Sequence, residues 1–298
     1  MKDIAYHKPA SLTEALELKR RLGDGARFLA GGTDVMVQAR QKKIVPEVMI
    51  SLRGLAELRG VRLEGGSLLL GAATTLSELR TDSLVAQHLP ALSDAAQVMG
   101  STQMRNVATV GGNVMSAAPS GDTLCPLLVL EAVCHLASAE GARQVPMHEM
   151  FLAPRQTAAQ PGEVLTHLAI PLPSAAGQAS SGAFIKLSRR AALDLALINL
   201  AVQLWLSPDG RRIAKARVAA GVVGPTPLRL PEAEEALGGA APTAEALERA
   251  AQSLGGTCNI RDSHRCAAWY REEMLRVLFM RAGALSLERL GVPVEVAA

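Results

Sequence analysis

Two short stretches hold the residue types that could do chemistry. The first is Gly31-Gly32-Thr33-Asp34, directly after the apolar Phe28 to Ala30 and directly before Val35, Met36 and Val37. The second is Thr109 to Thr123, T-V-G-G-N-V-M-S-A-A-P-S-G-D-T, set between the apolar Val107 to Val110 and an apolar segment that begins at Leu124. Paired glycines remove Cβ atoms where the chain turns. In the second stretch Asn113, Ser116, Ser120, Asp122 and Thr123 add short polar side chains. Bare backbone N–H groups beside hydroxyls and amides suit a phosphate-bearing ligand. Taken alone, either stretch also reads as an ordinary turn, with Asp34 as the cap of the next helix. Two such loops, each held between regular elements, predict one extended ligand with two phosphates.

No other set of residues has the spacing of a catalytic centre. The histidines, at 7, 88, 135, 148, 167 and 264, are scattered, without the H-E-x-x-H of a zinc protease or a G-x-S-x-G partner. Cys125, Cys134, Cys258 and Cys266 include no C-x-x-C pair and read as buried thiols, so no metal site and no catalytic residue is expected. With 31 basic and 28 acidic residues the net charge is +3, and aromatics make up 3%, so neither a basic stripe nor a stacking surface for nucleic acid is available. No charged-then-apolar leader opens the chain and no apolar run approaches the length of a membrane span, which predicts a cytoplasmic protein.

At 298 residues and 49% apolar content the chain fits two domains. Ile4 to Tyr6 reads as a strand, Ser11-Leu12-Thr13-Glu14 as a capping box opening a helix to Arg21, and Arg27 to Ala30 as the strand that delivers the first glycine loop. Val48 to Ser51 completes that βαβ lobe. A second lobe starts with strands at Val61 to Leu63 and Leu68 to Ala72. Thr75-Leu76-Ser77-Glu78 is another capping box, a helix spans Leu92 to Met99, and strands follow at Val133 to Ala137 and Val164 to Ile170. The Pro/Ala/Gly/Ser-rich Pro171 to Ser181 reads as a linker. Beyond it, Gly182 to Ser188, Leu197 to Leu206 and Arg217 to Val222 predict three antiparallel strands, and helices are expected at Glu232 to Leu237, Ala244 to Leu254 and Ser263 to Arg281. Lys186 lies in the first of those strands with Ile185 and Leu187 facing the other way, so alternation by itself makes it a solvated lysine.

Several segments, taken in order, resemble one family. Ala30 to Val35 (A-G-G-T-D-V), Leu70 to Leu79 (L-G-A-A-T-T-L-S-E-L), Arg105 to Thr123 and Phe184 to Asn199 (F-I-K-L-S-R-R-A-A-L-D-L-A-L-I-N), with the opening Ile4 to Glu17, are similar to the FAD-binding medium subunits of molybdenum hydroxylases, the group of xanthine, carbon monoxide, aldehyde and nicotinate dehydrogenases. The resemblance implies an α+β chain: a two-lobed FAD-binding domain of the vanillyl-alcohol-oxidase/PCMH type at 1–173, with lobes of about 1–55 and 56–173, then a C-terminal flavoprotein domain at 182–286 with a three-stranded antiparallel sheet and helices. It implies non-covalent FAD here, and molybdopterin and [2Fe-2S] clusters only in a large and a small partner subunit, assembled as a dimer of heterotrimers. The cysteine-rich insertion that carries an extra cluster in the 4-hydroxybenzoyl-CoA reductase branch is missing.

Carried over residue by residue, the resemblance implies FAD contacts at Leu29, Ala30, Gly31, Gly32, Thr33, Asp34, Val35, Thr109, Gly111, Gly112, Asn113, Ser116, Ser120, Asp122 and Ile170. It puts Lys186 near the flavin ring as a cation favouring the reduced anion, with Asp194 and Asn199 available to orient it and Arg189 and Arg190 at the surface. A free-standing flavoprotein oxidoreductase and a non-enzymatic nucleotide-binding scaffold are the alternatives; a visible spectrum separates the scaffold from the others, and co-purification separates the subunit from the free enzyme. Neither glycine loop contains a histidine or cysteine that could tether a flavin. Acid precipitation of the purified protein should therefore release a yellow chromophore into the supernatant, whereas a coloured pellet would show a covalent link.

Overall fold

The computed structural model describes residues 3–172 and 178–296. It opens with β1 (Ala5–His7), α1 (Leu12–Leu22), β2 (Ala26–Leu29), α2 (Val35–Arg40) and β3 (Val48–Ser51), whose strands form a parallel sheet in the order β1-β3-β2. Ser11 Oγ accepts from Glu14 N–H as expected. The return half of the capping box is displaced by one residue, because the Glu14 carboxylate takes the N–H of Ala10. Gly23, at φ +60°, ends the helix. Parallel pairing brings the carboxyl ends of β2 and β3 to one edge, where the first glycine loop leaves β2.

The next strands are β4 (Val61–Glu64) and β5 (Ser67–Gly71), followed by α3 (Leu76–Thr81), α4 (Ser83–His88), α5 (Pro90–Val98), α6 (Thr102–Arg105), α7 (Val110–Ser116) and α8 (Leu124–Val129). Strands β6 (Val133–Ser138), β7 (Gly141–Pro146), the short hairpin β8 (Phe151–Ala153) and β9 (Gln156–Thr157), and β10 (Val164–Pro171) complete this region. The antiparallel sheet runs β4-β5-β10-β6-β7. Its inner face carries Leu68, Leu70, Leu136 and Leu168, and packs on Leu76, Leu92, Leu124 and Leu128 of the helices. Thr75 and Glu78 form the full reciprocal capping box. The apolar run from Leu124 stops as a helix at Val129, since Glu131 sits at φ +53° and turns the chain into β6.

The last part contains β11 (Ser180–Leu187), β12 (Ile198–Leu206), β13 (Ile213–Gly221), β14 (Leu228–Arg229), α9 (Pro231–Leu237), α10 (Ala244–Gln252) and α11 (Ala268–Arg289). The antiparallel sheet β11-β12-β13-β14 has four strands where three are expected, because a two-residue strand carries too little alternation to read. Ser263 to Cys266 form a turn, Ser263 Oγ accepting from Cys266 N–H (3.2 Å), so α11 starts at Ala268 rather than at Ser263. The helix also runs past Arg281, because Gly283 seats against Leu247 at a distance that admits no side chain. The linker expected at Pro171 to Ser181 falls partly on 173–177, outside the described residues; its two ends belong to β10 and β11.

One face of this sheet packs Ile198, Leu200, Val202 and Leu204 on Leu247, Leu275 and Phe279. The other face gives Phe184, Ala201 and Ala219 to the core of the preceding region. Charge fastens the junction. Asp94 of α5 accepts from Phe184 N–H and from both terminal nitrogens of Arg289 on α11, each at 2.8 Å, while Glu131 pairs with Lys215 and Arg217 of β13. Arg289→Met should lower the unfolding free energy by about 1–3 kcal/mol. In urea titrations Asp94→Asn should lose a similar amount, and the double variant should lose little more than either alone.

Candidate functional site

The first loop is shaped by what it touches. A Cβ placed on Gly31 would lie 2.1 Å from the Val107 carbonyl oxygen, so only glycine lets this loop press against the strand-like segment that leads into the second stretch. Gly32 sits at φ +75°, a left-handed conformation that favours glycine. The backbone N–H groups of Gly31, Gly32, Thr33 and Asp34 donate to no group among the described residues, nor does the Thr33 hydroxyl. Consecutive unpaired N–H groups in such a turn form an anion-binding concavity. Leu29, Ala30 and Val35 flank it half-buried. Asp34 stands at the start of α2 without capping it. Its carboxylate instead accepts from Gln38 Nε2 (3.0 Å) and from Arg155 Nη1 (2.9 Å). Arg155 also donates its backbone N–H to Ala117 O (2.9 Å), so the β8–β9 turn straps the two glycine stretches together. Nothing in the sequence around Arg155 signals this role.

The second stretch departs from the expected bare loop. Thr109 caps α7, its hydroxyl accepting from Gly112 N–H (3.0 Å), while Gly111 N–H donates to Ala72 O (2.9 Å). Both glycine N–H groups are therefore occupied; the backbone N–H groups of Ser120, Asp122 and Thr123, further along the stretch, donate to no group among the described residues. The glycines serve contact instead: a Cβ on Gly111 would meet Ala72 at 2.5 Å, and one on Gly112 would meet Thr109 Oγ1 at 2.8 Å and Ala30 Cβ at 4.0 Å. Asn113 Oδ1 accepts from the Thr123 hydroxyl (2.7 Å), a brace across the stretch. The Ser116 and Ser120 hydroxyls, half-buried, make no hydrogen bond among the described residues. Ile170 has no exposed surface and pairs with Leu68 on β5, in the strand that neighbours α7. Its strand was legible, but the face it presents depends on a register that only the folded sheet defines.

Lys186 is not solvated. Ile185 and Leu187 pack on the C-terminal core as alternation requires, and Lys186 projects from the opposite face with its side chain 6% exposed. Its ammonium donates to Asp122 Oδ2 at 2.7 Å, and Asn199 Nδ2 donates to Asp122 Oδ1 at 3.1 Å. The Cys125 thiol donates to Asn199 Oδ1 (3.3 Å). Gly221 opposite Asn199 leaves room for the amide, since a Cβ there would lie 2.2 Å from it. Asp122 thus anchors the second stretch to β11 and β12. Burial pushes its carboxyl above the usual range, opposed by the Lys186 charge and by hydrogen bonds from Lys186 and Asn199. The cation expected beside a flavin is consequently half of a neutral pair, and its field falls off as a dipole. Asp194 plays no part in it, because its carboxylate accepts from Arg189 and Arg190 N–H in an exposed turn.

No side chain here is set up for bond chemistry. Burial raises the Cys125 thiol and pushes Cys134 up to about 12, so neither is a thiolate at neutral pH. No cluster of potential metal ligands occurs among the described residues, and no helix among them is long and apolar enough to cross a membrane. The unpaired N–H groups and the free Thr33, Ser116 and Ser120 hydroxyls fit the phosphates and polar edges of a dinucleotide. These features are those of a protein built to hold a phosphate-bearing ligand.

Comparison with known proteins agrees. Residues 2–173 match the family model of the FAD binding domain in molybdopterin dehydrogenase, and residues 183–284 that of the CO dehydrogenase flavoprotein C-terminal domain. The chain is 37% identical over 227 residues to the xanthine dehydrogenase FAD-binding subunit of Escherichia coli, covering 75% of each. It is 33% identical over 223 residues to the carbon monoxide dehydrogenase medium chain of Hydrogenophaga pseudoflava, covering 75% of this chain and 76% of that one. Among solved structures, reconstituted CO dehydrogenase from Oligotropha carboxidovorans superposes with a TM-score of 0.90 at 32% identity over 96% of this chain and 98% of that one. The chain belongs to the family of FAD-binding medium subunits of molybdenum hydroxylases.

Breaking a buried pair from one side leaves the other charge uncompensated. Asp122→Ala should therefore cost about 3–5 kcal/mol of stability. Combining it with Lys186→Met should recover much of that loss in chemical denaturation; a double variant as unstable as the sum of the singles would show that the two groups act independently.

Proposed function

We propose that this chain is the FAD-carrying electron-transfer subunit of a cytoplasmic molybdenum hydroxylase, built as a dimer of heterotrimers. It takes electrons from the [2Fe-2S] clusters of a small partner and passes them to an external acceptor, while a large molybdopterin-binding partner oxidises the substrate. The observation that carries this reading is the row of unpaired N–H groups from Gly31 to Asp34, held against the Val107–Ala108 backbone within a chain of this family. Relatives support it: a xanthine dehydrogenase FAD-binding subunit, a carbon monoxide dehydrogenase medium chain and a nicotinate dehydrogenase FAD-subunit. The two family-model spans support domains at 1–173 and 182–286.

In this reading Gly31 to Asp34 hold the pyrophosphate through backbone N–H groups, and Leu29, Ala30 and Val35 line the approach. Thr33, Ser116 and Ser120 donate hydroxyls. Thr109, Gly111, Gly112 and Asn113 keep the second stretch close without spending free donors on the ligand. Lys186, fixed by Asp122 and Asn199, presents an oriented polar pair to the ring. Bound FAD supplies reversible electron uptake and release, which none of these side chains can do. The protein's contribution is position, a fixed electrostatic setting and exclusion of water.

Gly32→Val should purify colourless with unchanged circular dichroism, because a β-branched residue at φ +75° rearranges the N–H row. Losing two hydrogen bonds to a charged group should weaken FAD binding by roughly a hundredfold to ten-thousandfold. The isolated chain, yellow but free of stoichiometric iron, should turn over no purine, aldehyde or azaarene; full FAD affinity in the valine variant would remove the phosphates from this loop.

A further inference from the structure

A cleft of about 440 Å³ opens between the second glycine stretch and the C-terminal helices. Its lining includes the apolar Pro119, Pro154, Val222 and Pro225 together with Arg261, Arg265 and Arg271. Arg271, 4% exposed, donates to Leu197 O (2.9 Å), Arg261 O (2.7 Å) and Ser263 Oγ (3.2 Å), all neutral oxygens. Among the described residues none of the three guanidiniums has a carboxylate partner. Asp262, the single acid in the lining, accepts the Ala268 N–H (2.7 Å) at the start of α11.

A buried guanidinium held only by neutral oxygens leaves its charge unanswered. Two further arginines raise the local potential, and the guanidinium fork matches carboxylate and phosphate oxygens. The proline-rich wall offers flat apolar contact to the rest of a ligand. We propose that this cleft binds a small organic anion, its carboxylate or phosphate gripped by Arg261 and Arg265 over the fixed charge of Arg271 and its apolar body laid on the prolines. The site rests on this chain's own residues and requires no bound flavin. Ser120 belongs to both the cleft and the second glycine stretch, so an occupant lies against the proposed flavin site.

Calorimetric titration of the full chain with phenyl phosphate, benzoate and the neutral benzamide tests this. Both anions should bind with affinity that falls as salt rises, and benzamide should give no heat; their ratio decides between phosphate and carboxylate. Arg261 is exposed and Arg265 half-buried, and neither side chain braces the fold, so R261Q/R265Q should keep its melting temperature and lose at least about tenfold in anion affinity. R20Q/R21Q, on the exposed face of α1, should bind as the unmodified chain does. Equal loss in both double variants, binding of benzamide, or no heat with either anion overturns the proposal. In preparations that contain flavin, occupancy should also shift the visible spectrum. A colourless protein that still binds the anions would count against the flavin reading and leave the cleft standing.

Discussion

An ammonium group with almost no access to water must be answered by a carboxylate, and in this protein that requirement ties the two halves of the chain together. Lys186 comes from the C-terminal sheet and Asp122 from the second glycine stretch. Each is tolerable in its surroundings only because the other is there. Asn199, itself held by Cys125, donates to the second carboxylate oxygen, which fixes the orientation of Asp122. The geometry of the candidate site at this end is therefore a property of the assembled molecule, and of neither half alone.

At the other end, position is set by the absence of atoms. Gly31 and Gly111 sit so close to neighbouring backbone that any side chain would separate the layers they join. One consequence is a division of labour between two similar-looking glycine pairs. The pair at Gly111-Gly112 is consumed by the Thr109 cap of α7 and by Ala72 just beyond β5, and the pair at Gly31-Gly32 keeps its N–H groups free. A dinucleotide needs both: a rigid wall, and unsatisfied donors in front of it.

Most of the fold was legible because its signals are local. Capping residues, apolar periodicity and turn-forming glycines located the parallel βαβ lobe, four of the five strands of the larger antiparallel sheet and the long strands of the last sheet. What escaped carried little local signal: β7 (G-A-R-Q-V-P) buries one residue and β14 has only two. The strand Leu228–Arg229 exists because β13 is beside it, and α11 runs through Gly283 because Leu247 fills the space there. The site divided in the same way. Glycines and hydroxyls announced themselves, whereas the pairing of Asp122 with Lys186 and the strap from Arg155 to Asp34 join residues 64 and 121 positions apart.

The clamp between Asp94 and Arg289 spans 195 positions and ends in the last helix. On a ribosome adding roughly 5–20 residues per second, Asp94 is made on the order of ten seconds or more before the guanidinium that closes over it. For the first part of that interval, until β11 is made, the face of α5 that will receive it is bare and Asp122 lacks its counter-charge. The seam between α5 and the last helix therefore closes only at the end of translation, and a chain released before Arg289 carries Asp94 without its partner.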